Sequence, residues 1–486
     1  MVLAILASIG SKYFPTQYIT HIVIALVSTF ALHVIFQGRK TNRERDLHGR
    51  VVLITGAFTP LGLTLLQQLA KRGAHIIALT TFPVSSEHIT TLIDLLRSTT
   101  KNELIYAEQC DLEAPASIQA FCKRFLQGDD KRLDALIFAH EYESLGTFSF
   151  VTKETTSVQE QRDRRALATF LMTTLLLPAL LTAPAERDIR IINVVNRFYA
   201  AAVPDLSIFY SNLFQSLAPN SSPQPPKQSS LLFLEGSRSL QTIIFTRHLQ
   251  RILDALPSAQ VPKTSAGSSA VPVVSGKNQK SNIVAISVSP GVSRSDTLGR
   301  MLGVGLGGPG SWLGIFLYIL TYPMLRILAK APTYAIQSVL HVLFLPTPFK
   351  VFSTSHFDDA KSKKNSPSDS LIDKRHTEMP EEVLKPGALY AECATVVGLR
   401  VPPPPTFEER SENGQKGKQK NQATGDAKTA RLSNDDEFGG ERGGTMVWDA
   451  YEAALRVWEK SNPSLADYER EKERANPSNV QAVPEE

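Results

Sequence analysis

The sequence predicts an α/β protein built on a doubly wound parallel sheet and preceded by a transmembrane helix. Three observations predict it. Short apolar runs rich in β-branched residues alternate with amphipathic stretches from Gly49 onward. A glycine-containing turn, Thr55-Gly56-Ala57-Phe58-Thr59-Pro60-Leu61-Gly62, joins the first such run to the first amphipathic stretch. An uncharged apolar run, Tyr18 to Phe36, precedes both and approaches the ~20 residues that cross a bilayer.

The apolar run is interrupted mainly by His21 and His33. Lys12 lies before it, whereas Arg39, Lys40, Arg43 and Arg45 follow directly. The positive-inside rule then places the C-terminal side in the cytosol, and the endoplasmic reticulum is the expected membrane. A cleaved signal would carry its charge ahead of the run and a small-residue site behind it, and neither is clear. A buried core helix is the alternative reading of 18–36. Residues 1–17 form a separate N-terminal segment, and the folded domain is expected over 46–400.

Within that domain Val51–Thr55 reads as a buried strand. Leu61–Arg72 has helical spacing at Leu61, Leu65, Leu66 and Leu69. Further strands are expected at Ala74–Leu79, Leu104–Gln109, Ala135–Ala139, Ile189–Val195 and Ile283–Val288. Helices are expected at Pro115–Leu126, where proline suits a first turn, and at Arg164–Leu181 and Ser237–Leu256. Strands alternating with helices over this length call for a parallel sheet covered on both faces. Residues 204–230 and 257–281 are rich in Ser, Pro, Gln and Lys and read as disordered insertions, as does the charged stretch 354–380. Residues 402–444 bury too little apolar surface to order themselves and read as a disordered linker. Helical spacing returns over 446–460 through Val447, Tyr451, Leu455 and Trp458, and this helix is expected to pack back on the domain. Residues 461–486 read as a flexible tail.

Composition excludes some functions. A net charge of +5 over 486 residues, with no basic stripe interleaved with aromatics, gives no case for nucleic acid. Three scattered cysteines, Cys110, Cys122 and Cys393, make no disulfide framework, and no Cys/His cluster has metal-ligand spacing. A reducing, cytosol-facing location fits.

The glycine turn carries the first chemical signal. Glycines let a backbone approach a pyrophosphate, and a helix N-terminus supplies free N–H groups and a positive dipole end. A tight strand-to-helix turn without a ligand is the alternative. The turn resembles the Thr-Gly-x-x-x-Gly-x-Gly element of the short-chain dehydrogenase/reductase family, which implies a Rossmann-like fold and NAD or NADP. Pro60 stands in place of the middle glycine, removing an N–H and adding a ring. The resemblance extends to Cys110-Asp111-Leu112, matching an Asp-Leu pair whose carboxylate meets the adenine. Asp111 as a helix N-cap is the alternative. It extends also to Phe138-Ala139-His140-Glu141 in place of Asn-Asn-Ala-Gly, and to Pro290-Gly291-Val292-Ser293-Arg294-Ser295, similar to a Pro-Gly-x-x-x-Thr loop beside the nicotinamide. It therefore nominates Thr55, Gly56, Gly62, Asp111, Pro290 and Gly291 for the cofactor. Leu79-Thr80-Thr81, after the second strand, offers neither an acid nor an arginine, so NAD and NADP both stand.

The retinol-dehydrogenase branch is the best match on the long helix, through Leu240 to Arg247. Counting back from Phe245-Thr246 puts Glu235 at the family's tyrosine and Ser239 at its lysine. Asn196 falls at the serine and Arg165 at the asparagine. The usual tyrosine–lysine couple then cannot form, and turnover on common retinoids, steroids and aldehydes is expected to be negligible. Glu235 and Asn196 are the candidates for any remaining proton or hydrogen-bond chemistry, with ordinary polar residues at a helix start as the alternative for Glu235 and Ser239. Arg238 is a candidate for a ribose or phosphate.

After the Pro-Gly loop, Leu302–Leu325 is uncharged and Trp312–Tyr322 almost wholly apolar. In the family this region is the substrate lid. Its glycines and Pro323 favour a lid dipping into a membrane over a straight span, with a buried helix pair as the alternative. Gly387–Cys393 is similar to a downstream element of retinol-dehydrogenase-like proteins. Two functions follow: a membrane-associated NAD(P)-dependent oxidoreductase acting on a lipid-like alcohol or carbonyl, or a catalytically silent Rossmann protein binding a nucleotide, lipid or protein. Membrane lipid and a lipid-like small molecule are the expected partners.

Overall fold

The computed structural model describes residues 19–128, 132–148, 151, 156–183, 187–217, 230–256, 282–304, 311–347, 382–404, 437–463 and 465–467. Helix α1 (Ile19–Gln37) leads into β1 (Val51–Thr55), α2 (Pro60–Ala70), β2 (His75–Thr80), α3 (Glu87–Thr100), β3 (Ile105–Gln109), α4 (Pro115–Gln127) and β4 (Ala135–Phe138). Next come the one-turn α5 (His140–Glu143), α6 (Thr156–Leu181), β5 (Ile189–Val194), the short α7 (Tyr199–Ala202), α8 (Leu206–Leu217), α9 (Leu231–Ala255) and β6 (Ile283–Ser289). A π-helical turn (Arg294–Gly299) precedes α10 (Trp312–Leu328), α11 (Pro332–Ala335), α12 (Gln337–Phe344), β7 (Leu389–Ala391), β8 (Ala394–Thr395) and α13 (Gly440–Ser461).

The strands form one sheet in the order β3-β2-β1-β4-β5-β6-β7-β8. All pairs are parallel except β7 with β8. Every residue of β1, β4, β5 and β6 is buried, because helices cover both faces. That is why these strands read as continuous apolar runs without alternation. One core packs α4, α6, α8, α9 and α13 on one face, and the other packs α2, α3 and α12 on the opposite face. Strand order reverses where β1 lies beside β4, so a crevice opens beyond their carboxyl ends. Thr55 pairs with Phe138, and Phe138 with Asn193, which brings the segments after β1, β4 and β5 to one edge.

Helices α1 and α10 stand apart from these cores. They pack against each other, yet α1 exposes Ile24, Leu26, Phe30 and Ile35, and α10 exposes Trp312, Phe316, Ile319 and Leu320. Only Gly314 of α10 is buried. Their C-terminal ends are fastened by buried Gln37, whose Nε2 donates to the Ala329 carbonyl at 3.4 Å and whose Oε1 accepts the Ala331 N–H at 3.2 Å. Among the described residues a second stretch is apolar enough to cross a bilayer, Gln159–Leu181 in α6, but more than half of it is buried inside the fold.

Two boundaries differ from the sequence expectation. Residues 206–217, within the expected insertion 204–230, are the helix α8, because Phe209, Tyr210 and Leu213 recur at helical spacing and bury themselves in the core. Helix α13 begins at Gly440, inside the expected linker. Its glycines lie where neighbours leave no room: a Cβ on Gly444 would collide with the His248 ring. Tyr451 and Trp448 of α13 stack into a cluster with Phe170 and Phe245. Residues 1–17, 257–281 and 354–380, and most of 402–444 and 461–486, lie outside the described residues.

Candidate active site

The glycine turn is tight for internal reasons. Gly56 has φ +66°, in the left-handed region, and a Cβ there would lie 2.7 Å from the His140 backbone nitrogen. A Cβ on Gly62 would collide with the Gly56 and Ala57 carbonyls. Thr59 caps α2, its Oγ1 accepting the Gly62 N–H at 2.9 Å. Pro60 has no N–H, and the Leu63 N–H returns to the Thr59 carbonyl at 2.8 Å. The remaining first-turn donor, Leu61 N–H, points to Oδ1 of Asp296 at 3.1 Å. Every donor of that first turn is therefore accounted for. The turn keeps the glycines that a pyrophosphate would need, and in this structure the Asp296 carboxylate lies at the amino end of α2, where an anion would be favoured.

The residues nominated for the cofactor divide into two groups. Thr55, Gly56 and Gly291 touch α5, with Gly62 packed on the Gly56 carbonyl and Pro290 next to Gly291, and Asp111 lies beyond β3. Asp111 Oδ1 accepts the Glu113 N–H at 2.9 Å and shapes the turn before α4. The N-cap of α4 is Ala114, so Asp111 is not the cap. The Pro290 carbonyl accepts Lys330 Nζ at 3.0 Å, and the Gly291 carbonyl accepts the Tyr142 hydroxyl at 2.9 Å.

Three consecutive residues of α5 tie the site together. His140 is buried, and burial lowers its pKa to about 4, so the ring is neutral at physiological pH. Its Nε2 lies 2.9 Å from the Arg165 carbonyl and must carry the proton, which leaves Nδ1 to accept the Thr55 hydroxyl at 2.7 Å. Tyr142 holds the Pro-Gly loop from beneath, accepting the Ser293 N–H and the Thr297 hydroxyl at 3.1 Å each. Glu141, between them, faces a cleft.

That cleft is lined by Glu141, Ser144, Arg162, Val195, Asn196, Glu235, Arg238 and Ser239. It lies beyond the carboxyl ends of β4 and β5. The Glu141 carboxylate accepts the Thr242 hydroxyl at 2.8 Å and the Thr169 hydroxyl. Desolvation outweighs these bonds and pushes its pKa up to about 7. Glu235 is also raised, by burial against the opposing pull of Arg238 and Arg162. It accepts from Arg238 at 2.8 Å and from the Gly146 N–H at 3.3 Å. Asn196 Nδ2 donates to the Glu141 carbonyl at 3.3 Å, while its Oδ1 and the Ser144 hydroxyl have no partner among the described residues.

The structure brings Asn196, Glu235 and Ser239 together along this cleft. Arg165 is not with them: its guanidinium grips Glu113, with Nη2 at 2.7 Å and Nε at 3.1 Å, and Arg162 lines the cleft instead. Arg238 is bound to Glu235 and, at 2.8 Å, to Asp163, which leaves it committed to protein carboxylates. Glu141 was not singled out by sequence. Its signal was a carboxylate in the final place of the Asn-Asn-Ala-Gly element.

Residues 50–205 match the short chain dehydrogenase family. An uncharacterized oxidoreductase of Saccharomyces cerevisiae, YNL181W, is 30% identical over 338 residues, spanning 68% of this chain and 76% of that protein. The chain belongs to the short-chain dehydrogenase/reductase family. The uncharacterized oxidoreductase pbr1 of Schizosaccharomyces pombe is 25% identical, over 68% of this chain and 79% of that protein. Retinol dehydrogenase 13 of Homo sapiens is 26% identical, over 74% of this chain and 88% of that protein. The retinol-dehydrogenase resemblance on the long helix agrees with that last likeness.

Proposed function

We propose that this chain is a membrane-held oxidoreductase of the family, using NAD or NADP on a lipid-like alcohol or carbonyl, with its folded domain in the cytosol. The carrying observation is the pair of unmatched polar atoms, Asn196 Oδ1 and Ser144 Oγ, beside two carboxyl groups of raised proton affinity. A buried acceptor without a donor costs free energy that a ligand hydroxyl would recover. An alcohol O–H suits Asn196 Oδ1, and a carbonyl oxygen suits the Ser144 hydroxyl. Glu141, near pKa 7, holds and releases a proton at neutral pH, as a general acid or base requires.

The lipid-like class rests on the surroundings. Ser144 begins the segment that reaches α10, where the Ser311 hydroxyl donates to the Val151 carbonyl at 3.2 Å. We take the exposed apolar faces of α1 and α10 to lie against a bilayer, from which a lipid would present its polar end to the cleft. The ion pairs of Glu235 with Arg238 and Arg162 favour the second reading, a catalytically silent protein that binds a nucleotide, a lipid or a partner.

The test uses the full chain in lipid nanodiscs, long-chain carbonyl substrates and both coenzymes. The reductive rate should fall as pH rises through about 7, because Glu141 loses the proton it must give. Glu141→Gln should lower kcat by roughly tenfold or more and remove that pH limb, and Glu235→Gln should also lower it. Rates and pH profiles unchanged in both variants would remove the cleft from the chemistry.

A further inference from the structure

We infer that Asp296 is a built-in latch on the dinucleotide site, occupying the place of a coenzyme phosphate at the amino end of α2 and yielding it when the coenzyme binds. The inference rests on the reading that this turn is where NAD or NADP binds. Asp296 is 1% exposed. Its Oδ1 accepts the Leu61 N–H at 3.1 Å, and its Oδ2 accepts the hydroxyls of Ser293 at 2.9 Å and Ser295 at 2.8 Å. Helix α2 carries no acidic residue in its own first turn, so Asp296 supplies the negative charge that its dipole attracts. A phosphate would seek the same N–H and the same field.

The latch is held in its seat from behind. Lys330, at the foot of α10, pairs with the Pro-Gly loop as a strand would. Its N–H donates to the Val292 carbonyl at 3.0 Å, and its carbonyl accepts the Arg294 N–H at 3.0 Å. Buried Lys330 Nζ also holds the Pro290 carbonyl and the Glu392 carboxylate. Tyr142 supports the same loop from α5. A loop fastened this way places its carboxylate against Leu61 reproducibly, and release needs the segment from Ser293 to Asp296 to lift.

The experiment titrates NADPH and NADH, by fluorescence, into the full chain in nanodiscs, for the wild type, Asp296→Asn and Ser295→Ala. Asparagine keeps an acceptor for Leu61 and removes the charge. Ser295→Ala keeps the charge and removes one hydroxyl from Oδ2. Cooperative thermal unfolding checks the fold of each variant, and Ser295→Ala alone decides if Asp296→Asn fails that check. The inference expects Kd to fall at least about tenfold in Asp296→Asn, equivalent to ~1.4 kcal/mol, with a smaller fall in Ser295→Ala. Equal affinities in all three proteins would overturn the latch and leave the coenzyme reading standing. No binding by any folded variant would overturn both.

Discussion

Glu141 and its neighbours show how one turn of backbone sets the site. His140 fixes Thr55, Glu141 faces the cleft, and Tyr142 carries the Pro-Gly loop. None of these pairings is legible in the sequence, because each joins residues far apart in the chain through one short helix. The altered family positions were legible where a helix or strand fixed the count, as for Glu235, Ser239 and Asn196. The Arg165 side chain binds Glu113 rather than the cleft, a direction that the count alone does not give. Gly56 carries a residue-scale prediction. Gly56→Val adds a branched side chain at the turn after β1. The structure puts a Cβ against the His140 backbone at positive φ, so the variant strains the fold itself. Thermal unfolding should show Tm lowered by on the order of 5 °C or more. An unchanged Tm would mean that the turn is looser than described.

Among the elements, the strands and the helices of the doubly wound core were legible, because buried parallel strands leave uninterrupted apolar runs. Helix α8 was hidden by the Ser- and Pro-rich residues that follow it. The start of α13 was hidden by glycines, whose role is close approach to His248 and Tyr210. The apolar pair α1 and α10 yields the element-scale prediction. Both expose large apolar side chains and meet through Gln37, so membrane attachment should be shared between them. Removing residues 1–36 should release the protein only partly on carbonate extraction. Adding Phe316→Glu, Ile319→Glu and Leu320→Glu should release it fully. Complete release by truncation alone would leave α10 outside the bilayer, and retention after both changes would require another attachment.

At the scale of the molecule, a single sheet brings the polar cleft and the glycine turn to one edge, beyond the carboxyl ends of its central strands. The Pro-Gly loop joins them, since it is fastened to the foot of α10 and closes the turn through Asp296. The sheet order could be expected from alternating elements. The closed state of the turn could not, because it depends on a contact between Leu61 and Asp296 across the whole fold. On the function proposed above, this end of the molecule transfers reducing equivalents to or from a lipid oxygen-bearing carbon. The most direct measurement incubates the full chain in nanodiscs with a membrane lipid extract and NADPH or NADH deuterated at the transferable position, followed by mass spectrometry of the lipids. Deuterium is expected in a lipid alcohol with the wild type, and roughly tenfold less or lower with Glu141→Gln. Bound coenzyme with no deuterium in any lipid would contradict it and leave the silent binding protein as the reading.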